Sequence, residues 1–183
     1  MTAQSSAGPA ARRSRPQYLG KYRGTVLPDV DPEGRGRIKV QVIGVFPVAS
    51  SWAEPCFPVA GAGTGVVAVP PAGAGVWVEF ERGDPDHPIW AGCYFLNTSE
   101  VPPLAQRVTP PVAAVTAQTP LGNAIQVSDA APAKDSGGIV LRSANGVSIV
   151  VNDSGIVLSD GKGGEITIAN GTVKINGGAF EVR

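Results

Sequence analysis

The stretch "GIVLRSANGVSIVVNDSGIVLSDGKGGEITIANGTVKINGGAFEV", residues 138–182, decides the fold. Gly138, Gly146, Gly155, Gly164, Gly171 and Gly178 recur every seven to nine residues, each followed within a few positions by a short strand pattern. Successive side chains of a strand leave opposite faces. Ile139/Leu141, Val147/Ile149/Val151, Ile156/Leu158, Ile166/Ile168, Val173/Ile175 and Phe180/Val182 therefore point one way. Val140, Ser148, Val150, Val157, Thr167, Lys174 and Glu181 take the other face. Strand, glycine turn and strand at so short a period predict a β-helix or β-prism.

One copy of such a repeat is underfilled. Each strand presents two or three inward side chains, too little burial to offset about 1.5 kcal/mol of ordering cost per residue. Three copies around one axis bring the apolar rows together and give each strand edge a partner in a neighbouring chain. The sequence thus predicts an obligate homotrimer whose core is Ile139, Leu141, Val147, Ile149, Val151, Ile156, Leu158, Ile166, Ile168, Val173 and Ile175. About seven strands per chain at roughly 4.8 Å each make a prism on the order of 30 Å long.

Upstream, residues 18–97 read as short strands. Ile38, Val40 and Val42 alternate with Arg37, Lys39 and Gln41, and Val76, Val78 and Phe80 alternate with Trp77, Glu79 and Glu81. "YLGKYRGTVLPDVD", "GVVAV" and "PIWAGCYFL" supply further strands, separated by the turns "DPEGRG", "PPAGAG" and "GDPDHP". Five strands in so compact a segment suit a small closed barrel of the OB type. Residues 98–119, with two Pro-Pro pairs and no alternation, read as a linker or extended strap, leaving 120–183 to the repeat. Residues 1–17 read as a flexible arm carrying Arg12, Arg13 and Arg15. The expected fold class is all-β throughout, in keeping with 24 glycines, 17 prolines and a single methionine.

The chain balances 15 basic against 15 acidic residues, so no global field draws it to nucleic acid or anionic lipid. Its N-terminal stretch has no apolar signal-peptide region and no apolar run is long enough to span a bilayer, which predicts synthesis and assembly in the cytoplasm. Cys56 and Cys93 stand outside any metal-ligand spacing and are expected to be small buried apolar residues.

Three constellations invite a chemical reading. Asp84, Asp86 and His87 are metal-ligand and acid–base types, but Pro85 and Pro88 pin the loop and the chain has no second histidine. A hairpin turn explains the spacing without chemistry. Glu79 and Glu81 share a strand face, and no cleft is evident to make them a hydrolytic pair. Arg23, Arg35, Arg37 and Lys39 gather near the first two strands with few aromatics beside them in sequence. They sustain an alternative reading as an OB-fold single-stranded nucleic-acid-binding protein with an oligomerising tail. A third reading is a β-solenoid that binds or hydrolyses carbohydrate. No catalytic, cofactor or metal residue is assigned.

The motifs "GKYRGTVLPDVDPEGRGRIKVQV", "WAEPCFPVAGAGTG", "PPAGAGVWVEFERGDPDHPIWAG" and "TPLGNAIQVSD" resemble those of the baseplate assembly protein V family of phage tails. They are also similar to spike segments of type VI secretion and of extracellular contractile injection particles. The resemblance implies a non-enzymatic trimeric central spike, its barrels forming a collar on a hub and its prism pointing at the target membrane. The arm before Tyr18 is too short for the fused hub domain of larger relatives, which implies a hub on a separate chain. The segment after Asn97 is too short for a lysozyme domain, so no wall hydrolysis is implied. "NGGAFEVR" lacks the His-x-His of metal-tipped spikes, which implies a separate PAAR-like tip protein.

Overall fold

A computed structural model describes residues 16–182; residues 1–15, with Arg12, Arg13 and Arg15 of the expected arm, lie outside the described residues. The chain divides between Leu96 and Asn97 into two compact units.

The first unit holds β1 (Tyr22–Val26), β2 (Val40–Val42), β3 (Glu54–Pro55), β4 (Ala60–Gly61), β5 (Thr64–Gly65), β6 (Gly75–Phe80) and β7 (Pro88–Tyr94). Its five-stranded sheet runs β2-β1-β6-β7-β3, antiparallel except for the short β3, which lies parallel to β7. A bridge between Ile38 and Ala53 joins the two ends, so the sheet closes on itself. The alternation seen in sequence sets the inside: Ile38, Val40, Val42, Val76, Val78, Phe80 and Trp90 form one buried cluster. Each such side chain contributes about 1.5–3 kcal/mol when fully withdrawn from water. Gly24 on β1 allows the walls to approach closely, since a Cβ there would sit 3.0 Å from Val78 Cγ2.

The fifth strand is not the expected one. "GVVAV" lies wholly outside the five-stranded sheet: Gly65 belongs to the two-residue β5, which pairs only with β4, and Val66–Val69 have no regular pairing. The closing position goes to β3, which the bridge at Ala53 holds in place. Both cysteines, expected to be buried, are exposed. Cys56 follows the end of β3, and Cys93 lies past a register shift in the β6–β7 pairing.

The second unit holds α1 (Pro103–Gln106) and eight strands: β8 (Ala114–Gln118), β9 (Ala124–Ala133), β10 (Ser136–Arg142), β11 (Ser148–Asn152), β12 (Gly155–Ser159), β13 (Glu165–Ala169), β14 (Thr172–Ile175) and β15 (Phe180–Val182). They form one sheet in sequence order, each strand antiparallel to the next. Tight turns make this order possible. Asn170 and Gly171, at φ 50° and 73°, are both left-handed, the geometry of the hairpin turn that matches strand twist. The strand edges expected to pair between chains are thus met within one chain, save the outer edges of β8 and β15.

Residues 98–119, expected as a linker, contain α1 and β8. Leu104 of α1 is buried; its N–H donates to Gln118 Oε1 (3.2 Å), and its carbonyl accepts from Gln126 Nε2 (3.0 Å). The same Gln126 amide donates to Thr116 Oγ1 at 2.8 Å. Prolines start and flank this segment, but a polar clasp fastens it to the sheet.

Candidate assembly face

The cross-strand registers of the second unit put the predicted apolar set on one face. Ile139 opposes Val151, and Leu141 opposes Ile149. Ile149 in turn opposes Leu158, which opposes Ile166, which opposes Ile175. Val151 opposes Ile156, Ile156 opposes Ile168, and Ile168 opposes Val173. Two continuous transverse rows of Ile, Val and Leu therefore run from β10 to β14. Val147 lies just before β11 and is exposed beside them.

These rows are open to solvent in the single chain: Ile149 is 39 % exposed, Ile168 40 % and Ile139 46 %. Behind them, on the face opposite the predicted core rows, Val140 and Val150 are 2 % and 1 % exposed. They continue a row with Gln126, which α1 covers. A contiguous apolar face this regular marks a contact surface. It also runs further than the sequence reading took it. Val115 on β8 opposes Val127 on β9, and Ile125 opposes Leu141, all four being exposed. The alternation of Val115 with Thr116, and of Ile125 with Gln126, is the signal that could have found them.

The chemical constellations of the first unit resolve into structure. In the β6–β7 hairpin, Asp84 Oδ1 accepts from the Asp86 N–H at 3.0 Å and the His87 N–H donates to the Asp84 carbonyl at 3.0 Å. The His87 side chain is 66 % exposed, its Nδ1 3.7 Å from Asp84 Oδ2. Among the described residues no three His, Cys, Asp or Glu groups converge as metal ligands. Glu81 does not share a strand with Glu79: β6 ends at Phe80, and Glu81 begins the turn. Glu79 is instead 2.6 Å from Lys21 Nζ.

Three of the four residues of the basic cluster pair with carboxylates where they stand. Lys39 pairs with Asp29 at 3.1 Å, Arg35 with Glu33 and Glu54 at 2.8 Å, and Arg37 with Asp31 at 2.7 Å. The Arg37 guanidinium, with three backbone N–H groups beside it, holds the Asp31 carboxyl well below the usual carboxylate range. The fold supplies aromatics that sequence proximity did not show: Arg23 lies over Trp77 and Tyr94, and Arg37 and Lys39 lie over Trp52. Yet cations already paired with carboxylates do not make the basic groove that tracks a phosphate backbone.

Residues 22–95 match the family described as the type VI secretion system/phage-baseplate injector OB domain, and residues 114–181 match the phage baseplate V C-terminal trimerisation domain. The chain belongs to the baseplate V family. No curated protein matches it. As a baseplate V protein it is a structural baseplate spike, part of a phage-tail or secretion-system particle, with an OB barrel followed by a trimerisation domain. The two apolar rows lie wholly within the part that matches the trimerisation domain.

Proposed function

We propose that three copies of this chain join through the apolar rows of β10–β14 to form a non-enzymatic spike that docks on a hub and pierces the target envelope when the sheath contracts. The observation that carries this reading is the aligned Ile, Val and Leu face, left exposed in one chain within the trimerisation domain. Burying that face in a homotrimer removes it from water at about 25 cal/mol per Å². The OB unit is the proposed hub-docking part, because its strands close around one buried cluster and Arg35, Arg37 and Lys39 pair with the unit's own carboxylates. Load along the spike is borne by backbone ladders that run unbroken from β8 to β15.

Sedimentation equilibrium of the full chain at micromolar concentration is expected to give the mass of three chains. A stable monomer overturns the reading. Co-sedimentation with the purified hub of the same particle tests docking, and release of dye from lipid vesicles on forced insertion tests piercing.

A further inference from the structure

Residues 55–78 carry no charged side chain, and from Pro58 to Val69 every residue is exposed. Within this span β4 and β5 form a two-stranded hairpin that belongs to neither large sheet. Val66 donates its N–H to the Val59 carbonyl at 3.0 Å, and there the pairing stops. Among the described residues, nothing accepts from the amides of Val67, Ala68 or Val69. Val59, Val66 and Val67 are 52–70 % exposed. An apolar, strand-forming, unpaired stretch of this kind is a hazard that natural proteins cover or charge. Here no charge guards it.

We infer that the 58–69 segment docks on the OB unit of a second copy of this chain, where its free amides find acceptors and its valines leave water. The inference rests on the trimer reading. Two observations select the occupant. A surface with no charge on its own side is matched by one equally uncharged, and each copy carries that surface. The trimerisation domain also ties the copies together, which holds their OB units at an effective concentration on the order of millimolar. A contact too weak to form between free chains then closes within the assembly. The barrel does not need the segment for its own core, which is complete without Val66 or Val67.

Hydrogen exchange of the full-length protein, alone in solution, with its mass checked by sedimentation, tests this. The amides of Val67, Ala68 and Val69 are expected to exchange at least about 100-fold more slowly than in an unstructured peptide. Val67→Glu is expected to return Ala68 and Val69 to the unprotected rate while the trimer holds and the barrel amides of Val76 and Val78 stay protected. Fast exchange in an intact wild-type trimer overturns the inference and leaves the trimer standing. Protection that arises only after adding the purified hub assigns the segment to the hub and also overturns it. A monomeric wild type removes the trimer reading and this inference with it.

Discussion

Arg37 Nη2 lies 2.7 Å from Asp31 Oδ1, and the two side chains are 9 % and 7 % exposed. Asp31 also accepts from the backbone N–H groups of Glu33, Arg35 and Arg37, so one carboxylate organises the whole β1–β2 connection. Its folded pKa is depressed, so its stabilising contribution is fully present above the unfolded value of about 3.9 and is lost as pH falls toward the folded value. Thermal melts are expected to hold steady from neutral pH to about 4 and then decline. Asp31→Asn is expected to melt lower at neutral pH and to decline less below pH 4. Equal melting of the two proteins at both pH values would sink the assignment.

Ile149 and Ile168 stand one in each of the two apolar rows, each opposed by an apolar residue on both neighbouring strands. Ile149→Asp or Ile168→Asp is expected to abolish trimerisation, because each interface would enclose carboxylates at several kcal/mol per ion even after relaxation. Sedimentation reads the result. Circular dichroism of the same samples reports whether the second unit keeps its strands once assembly is lost, and variants that still sediment as trimers would remove these two residues from the interface.

Legibility in the sequence followed side-chain contrast. Where large β-branched residues alternate with polar ones, as at Ile166, Thr167 and Ile168, both the strand and its face could be read. β8 escaped because "AVTAQ" alternates small residues after a Pro-Pro pair, a pattern with little amplitude. Gln126 escaped for the opposite reason: a fully polar residue sits in the interior because Leu104 and Thr116 satisfy its amide. "GVVAV" misled because strand propensity is intrinsic to the segment, whereas pairing depends on what lies alongside. Neither cysteine's exposure could be read from spacing.

Gln126 leads to a third expectation. Gln126→Leu keeps the volume but removes the 3.0 Å donor to the Leu104 carbonyl, which keeps only the Arg107 N–H at 3.3 Å, and the donor to Thr116 Oγ1, a loss of about 0.5–1.5 kcal/mol per bond. The 97–107 segment should loosen, and trypsin cleavage after Arg107 is the readout. Cleavage no faster than in the wild type would mean that the clasp carries little.

Gly138 stands at φ 65° at a register shift between β9 and β10, and a Cβ there would collide with the Val151 carbonyl oxygen. Gly138→Ala is expected to destabilise the second unit by more than about 1 kcal/mol, visible in chemical denaturation. Gly171, at φ 73° but with nothing near its missing Cβ, should cost less on the same exchange.

His87→Ala is expected to shift stability by no more than about 0.5 kcal/mol, since the imidazole is mostly exposed and the turn is held by backbone bonds. Particles carrying the variant should assemble and kill or infect as before. Loss of killing by intact particles would overturn the structural account of this loop.

In the second unit every strand pairs with its neighbours in sequence, and the ladder never crosses over itself. Such a sheet can grow or shrink by whole hairpins, since inserting or deleting two strands leaves every other register untouched. Its contacts are also short-range along the chain, so each hairpin can zip onto the last as it leaves the ribosome, before any sister chain arrives. Spike length then becomes a quantity that gene duplication of about fifteen codons can adjust, one hairpin at a time, with no redesign of the barrel that precedes it.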